Sequence, residues 1–239
     1  MGKSTTAINV AAYLAKAGKK TLLVDIDPQS NATSGLGINL TNGPSVYHTL
    51  IGESKASEVM LQTQVKNLWL IPSTIELAGA EIELVAAFSR EYKLKKALEE
   101  VKNQFDFIII DSPPSLGLLT VNALAAADEL IIPIQCEYYA LEGVSKLMDT
   151  IKLVRNNLNP ELEIMGVLLT MYDTRTRLSH QVSEEVRNYF GDLVFETVVP
   201  RNIRLSEAPS YGQPILIYDP TSKGAEAYRK ITREVIRRA

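Results

Sequence analysis

The sequence predicts an α/β fold, a mostly parallel sheet with helices on both faces. Three observations carry this: short apolar runs that read as buried strands, segments of helical periodicity between them, and acidic residues closing two of the runs. From Thr5 to Ala17, Ala7, Val10, Ala11 and Leu14 recur at helical spacing, and Gly18 stands where a glycine ends a helix. Thr21-Leu22-Leu23-Val24 then runs into Asp25-Ile26-Asp27-Pro28, the pattern of a buried parallel strand that delivers acids at its carboxyl end. Gln29 to Pro44, rich in Ser, Asn, Thr and Gly, reads as loop, followed by short helical turns and a small strand at Leu68 to Pro72. Ile75 to Lys102 reads as helix in two pieces broken near Ser89. Phe105 to Asp111 is the clearest strand, ended by Ser112-Pro113-Pro114. Beyond it come a helix at Leu118 to Ala127, a strand at Leu130 to Ile134, a helix at Leu141 to Asn157 and a strand at Ile164 to Thr170. A helix at Gln181 to Phe190, a strand at Val194 to Val199 and a helix at Ala225 to Arg238 complete the order. No linker, low-complexity tract or repeat interrupts it, so residues 1–239 are expected to form one domain.

Composition narrows the function. With 239 residues, 46% of them hydrophobic, the chain can bury a core without staples. The lone Cys136 excludes a disulfide framework, a CxxC site and a cluster held by several thiolates of one chain, and points to an intracellular protein. Cys136 itself reads as a small buried apolar residue. No apolar run approaches the ~20 residues of a membrane span, and no charged n-region precedes an apolar h-region. The formal charge of −3 excludes a generally basic nucleic-acid binder; contact with nucleic acid would have to come from a local patch. Tyr172 to Ala239 supplies a candidate, with 11 basic against 9 acidic residues.

Gly2-Lys3-Ser4 ahead of a helix matches the second half of G-x-x-x-x-G-K-[ST], in which glycine lets the backbone amides face a polyphosphate, lysine reaches the β and γ phosphates and the hydroxyl ligates Mg²⁺. The other reading is an exposed turn. Asp111, closing an apolar strand, suits a Mg²⁺-associated carboxylate; its alternative is a turn aspartate. Asp25 and Asp27 would repel each other unless a cation or donors lie near, which favours a metal–phosphate site. His48 and His180 read as surface or packing residues, as do Tyr138 and Tyr139, and no side chain in these segments suits a strong general base.

Taken together, Gly2-Lys3-Ser4-Thr5-Thr6, Leu22 to Thr33, Phe105 to Pro114 and Pro200-Arg201-Asn202-Ile203-Arg204-Leu205-Ser206-Glu207-Ala208-Pro209-Ser210 resemble the ParA/Soj chromosome- and plasmid-partitioning ATPases. That deviant Walker group also holds MinD and the nitrogenase iron protein. The resemblance runs the length of the chain and implies a three-layer P-loop NTPase fold that uses ATP and Mg²⁺. By resemblance, Met1 to Thr5 hold the nucleotide: Lys3 on the phosphates, Ser4 on Mg²⁺, Thr5 at the α phosphate. Asp27 positions the attacking water and supports the metal shell, Asp25 backs it, Asp111 takes the Walker B role, and Pro200 and Asn202 hold the adenine. Lys3, Asp27 and Asp111 are thus the implied catalytic set, suited to slow hydrolysis by positioning and charge neutralisation. The resemblance further implies an ATP-dependent homodimer in the cytoplasm that binds non-specific DNA of the nucleoid through Arg175 and Arg204, with Arg177 and Arg201 nearby, and a ParB-like partner. Ordinary solvated arginines are the alternative at those positions.

Two rival functions are weighed. A MinD-like membrane ATPase needs a terminal amphipathic helix; here Tyr228, Ile231, Val235 and Ile236 can instead pack on the domain, leaving no membrane contact expected. The other rival is an inactive fragment. The family's loop runs K-G-G-x-G-K-[ST], whose first lysine reaches across the dimer; this sequence opens inside that loop, after the lysine, its two glycines and the strand expected ahead of them. The expectation is a sheet lacking its first strand, with two neighbours unpaired, and weak ATP turnover by the polypeptide as written. A GTG start codon at a family valine position would account for Met1.

Overall fold

The computed structural model describes residues 2–40, 43–137 and 140–239, with 140–143 described by backbone alone. Its strands are β1 (Thr21–Asp25), β2 (Leu61–Gln62), β3 (Leu68–Ile71), β4 (Phe107–Asp111), β5 (Glu129–Gln135) and β6 (Glu163–Thr170). Its helices are α1 (Lys3–Lys16), α2 (Asn31–Gly35), α3 (Val46–Ile51), α4 (Ala56–Val59), α5 (Leu77–Glu83), α6 (Lys93–Leu98), α7 (Leu118–Ala126), α8 (Ala140–Asn157), α9 (Arg177–Phe190), α10 (Ile203–Glu207), α11 (Ile215–Tyr218) and α12 (Lys223–Arg238).

The strands form a four-stranded sheet ordered β2-β3-β1-β4 and a two-stranded sheet of β5 and β6. All neighbours are parallel except β2, which pairs antiparallel with β3. Among the described residues β4 and β5 do not pair with each other. Leu22, Leu23 and Val24 of β1 are fully buried, whereas Phe107 to Ile110 of β4 are partly so.

Side-chain alternation covers both faces. On β1, Leu22 and Val24 pack with residues of α3, α5, α6 and α7, while Leu23 packs with Ala7, Ala11 and Ala15 of α1. β4 repeats the pattern, Ile108 and Ile110 on the first side and Phe107 and Ile109 on the second. In the smaller sheet, Ile132, Ile134, Val167 and Leu169 face α8 and α9, and Leu168 faces the α1–α12 side. α1 is buried from Thr6 to Ala15, which explains its run of small residues: alanines let a sheet and a second helix approach it together. That second helix is α12, whose Tyr228, Ile231 and Val235 pack with Val10, Tyr13 and Leu14. The apolar side of the terminal helix is therefore spent on the fold.

Two elements differ from the sequence reading. Val194 to Val199 is not a strand. Phe195 and Val199 do donate backbone hydrogen bonds to Val167 and Leu169 of β6, but the N–H groups of Glu196 and Thr197 between them go to the Glu234 carboxylate, at 2.8 and 3.1 Å. A side chain of α12 has replaced the ladder. Glu234→Ala is accordingly expected to leave two sheltered N–H groups without partners and to cost about 2–3 kcal/mol, read as a lower denaturation midpoint. The segment from Ile75 to Lys102 does form two helical pieces, α5 running into a 3₁₀ turn and a second 3₁₀ turn running into α6, with the break at Ser89, whose φ is 50°. Gln29 to Pro44, expected as loop, contains α2, because Asp25 supplies the cap that its own sequence lacks.

Candidate functional site

α1 begins at the carboxyl ends of the strands. Gly2, at φ 74°, turns the chain into the helix in a left-handed conformation suited to glycine. No side chain caps α1 and no acid stands in its first turn; Thr6 N–H donates to Gly2 O at 2.9 Å. The amides of Lys3, Ser4 and Thr5 thus have no intrahelical acceptor, and with the helix dipole behind them they form an anion-binding end. Gly2 lies against Thr170, the last residue of β6. Lys3 Nζ reaches over the end of β4 and donates to Pro113 O at 2.7 Å.

Three carboxylates close the same end. Asp111 is buried and its Oδ2 has no hydrogen-bond partner. Burial, then the charge of Asp25, pushes its carboxyl up to about 7, with the Ser4 hydroxyl and the Lys3 ammonium pulling the other way. Burial depresses Lys3 in turn, opposed by the charges of Asp111 and Asp27; Lys3, Asp27 and Asp111 therefore share one electrostatic environment. Burial also raises Asp25, to about 6, against donors that hold its charged form. Those donors are the Asp27 N–H at 3.1 Å on Oδ1 and the Thr33 N–H and hydroxyl at 2.8 and 2.7 Å on Oδ2. Asp25 Oδ2 thus caps α2, while Oδ1 holds the Asp27 backbone. Asp27 Oδ1 accepts from Gln29 N–H at 2.9 Å.

Pro200 and Asn202 lie beside this end through Tyr172, which follows β6, bridges to Pro200 and accepts from Arg201 N–H. Asn202 precedes α10 without capping it, and its buried Oδ1 has no partner. The arginines sit outside the carboxylate cluster. Arg175 is 83% exposed and held to Asp173 at 2.7 Å; Arg204 contacts Glu207 at 2.9 Å and Asp219 at 3.4 Å; Arg201 contacts Glu137 at 3.0 Å. Arg177 is exposed in the first turn of α9. The arginine surface is thus locally balanced by acids, a detail that counting residues conceals. Met1, Tyr138 and Tyr139 lie outside the described residues.

The histidines play other parts. His48 Nδ1 accepts from Ser45 N–H at 3.2 Å in the cap of α3, and His180 pairs with Tyr172 Oη at 2.9 Å. Burial drives the Cys136 thiol up to about 11, an inert core residue. Two site residues escape sequence reasoning, Thr33 and Ser73. Thr33 closes the Asp25 to Thr33 block; Ser73 follows β3 with nothing in its neighbourhood to mark it.

Residues 1–164 match the AAA domain family. The sporulation initiation inhibitor protein Soj of Bacillus subtilis is 58% identical over 236 residues, covering 98% of this chain and 93% of that protein. The chromosome partitioning protein ParA of Myxococcus xanthus is 54% identical over 239 residues, covering all of this chain and 84% of that protein. Among solved structures, cobyrinic acid a,c-diamide synthase of Mycobacterium smegmatis with bound ATP analog and magnesium superposes with a TM-score of 0.86 at 38% identity, covering 99% of this chain and 89% of that one. With relatives this similar over nearly its whole length, and with the strand-end acids and uncapped helix end set out above, the chain belongs to the ParA/Soj family of partitioning ATPases.

Proposed function

We propose that residues 1–239 form one nucleotide-binding domain that hydrolyses ATP with Mg²⁺ and uses its nucleotide state to switch self-association and non-specific DNA binding in chromosome or plasmid partition. The observation that supports this best is the meeting of the uncapped α1 end, Lys3, Ser4, Asp27 and the partnerless Asp111 Oδ2 at one edge of the sheet.

The donor set suits Mg²⁺: a hydroxyl and a carboxylate, hard oxygen ligands that leave positions for phosphate and water. Ser4 and Asp111 would hold the ion with Asp27 supporting its shell, and the ion would supply neutralisation of polyphosphate charge. The amides of residues 3–5 and the Lys3 ammonium hold the phosphates from the other side. Asp27 orients water toward the terminal phosphoryl group, and Pro200 and Asn202 flank the base. No strong general base adjoins the site, so turnover is slow, and a second protein, ParB-like by family, accelerates it. Such a protein works in the cytoplasm on the nucleoid.

DNA contact falls to Arg175 and Arg204. Their ion pairs are exposed and cheap to exchange for phosphate, so binding becomes useful when an ATP dimer doubles the surface, and it falls steeply with salt. Arg204→Glu sets a third acid beside Glu207 and Asp219. Measured by retention on random-sequence DNA at about 0.15 M salt, wild type is expected to bind with Mg²⁺–ATP and the variant to fail while still binding ATP. Equal retention of the two proteins, or retention indifferent to ATP, contradicts the DNA role.

A further inference from the structure

We propose that Thr33 and Ser73 are positioning residues that fix the backbone around Asp27 and so set the direction of its carboxylate. This rests on the reading of Asp27 as the residue that orients the attacking water.

The loop from β1 to α2 needs such a restraint. Ser30, at φ 53°, adopts a left-handed conformation that a residue with a β-carbon takes only when its surroundings impose it. α2 has five residues and no cap of its own in the loop, so it contributes little rigidity. The restraint comes from the neighbouring strand. β3 pairs in parallel with β1, Ile71 opposite Val24, and this register carries Ser73 to the level of Ile26, where its hydroxyl reaches the Asp27 carbonyl.

Two hydroxyls then close a ring. Thr33 Oγ1 donates to Asp25 Oδ2 at 2.7 Å and accepts from Ser73 N–H at 3.0 Å. Ser73 Oγ donates to the Asp27 carbonyl at 2.8 Å, and the Asp27 N–H donates to Asp25 Oδ1 at 3.1 Å. The Asp27 peptide is thereby gripped on both sides, with a further bond from Ser30 N–H to its carbonyl at 2.9 Å. The direction of each hydroxyl is determined, since Thr33 Oγ1 accepts from an amide and must donate to the carboxylate, while Ser73 Oγ faces a carbonyl and can only donate. Each of the two residues is 2% exposed, so water cannot substitute for a lost partner. Both hydroxyls are engaged within this ring, so their influence passes through Asp27.

Removing either hydroxyl is expected to let Asp27 drift, and displacement of a catalytic group by about 1 Å costs up to a hundredfold in rate. The test measures kcat and KM for ATP hydrolysis in Ser73→Ala, Thr33→Val and Thr33→Ser, with Asp27→Ala alongside and thermal midpoints for all. The expected result is a fall in kcat of about ten- to a hundredfold in Ser73→Ala and Thr33→Val with KM nearly unchanged, and recovery of most of the rate in Thr33→Ser, whose hydroxyl is retained. Wild-type kcat in Ser73→Ala and Thr33→Val, while Asp27→Ala is inactive, overturns the positioning role alone. So does a loss in Thr33→Ser as deep as in Thr33→Val, or a loss that tracks the midpoint rather than kcat. Undiminished hydrolysis by Asp27→Ala removes the reading of Asp27 together with the proposal.

Discussion

Asp111→Asn is expected to raise the stability of the nucleotide-free protein at pH 7.5 and to cut ATP hydrolysis by at least about a hundredfold. The two effects share one cause. In the folded chain the Asp111 carboxyl is raised from 3.8 to about 7, first by burial and then by the charge of Asp25. A folded-state value above the unfolded one means that the native protein holds the proton more tightly, so this group's contribution is fully present below about pH 4 and is lost as pH rises toward 7. Three units correspond to roughly 4 kcal/mol at neutral pH. A neutral amide escapes that loss, but sets an NH₂ group where Oδ2 has no partner, at a cost of about 1–3 kcal/mol. The net expectation is a gain of about 1–3 kcal/mol, measured by urea denaturation, that shrinks steadily as pH is lowered from 7 toward 4. Activity goes the other way, because the destabilising charge is the one that Mg²⁺ requires. A variant less stable at pH 7.5, or a gain that does not depend on pH, contradicts this account of Asp111.

Lys3→Ala is expected to have the second large effect, a loss of hydrolysis of about a hundredfold or more together with weakened nucleotide binding. Lys3 is partly desolvated, and Asp111 and Asp27 are its compensating charges. It donates to the Pro113 carbonyl, tying the loop after β4 to the start of α1. The ammonium has three donors, so one can stay on that carbonyl while the others meet a phosphate. The variant should therefore bind ATP poorly and show faster hydrogen exchange in residues 112–117 whether or not ATP is added. Wild-type ATP affinity in Lys3→Ala excludes the phosphate role.

Much of this was legible in the sequence, and the exceptions have physical reasons. Buried parallel strands announce themselves as apolar runs, so β1, β4, β5 and β6 fall within two residues of their expected positions. The acids at the ends of β1 and β4 follow from the same reading. Val194 to Val199 has every local feature of a strand; what undoes it is Glu234, nearly forty residues away, taking two of its amides. α2 is invisible to periodicity because its cap is a side chain of β1. Thr33 and Ser73 escape for a related reason: their chemistry lies in hydroxyls aimed at partners across a strand register, and a lone serine after a strand carries no signal. The arginines show the reverse, since a net positive tail suggests bare cations, yet Arg175, Arg201 and Arg204 each hold an acid.

The most direct measurement on the central claim, that the α1 end and the strand-end acids form one Mg²⁺–ATP site, is calorimetric titration of the protein with ATP, with and without Mg²⁺, in wild type and Lys3→Ala. Binding to wild type that strengthens with Mg²⁺ and collapses in Lys3→Ala is the expected result. ATP binding of equal strength in both proteins, or binding indifferent to Mg²⁺, would place the nucleotide elsewhere and contradict it.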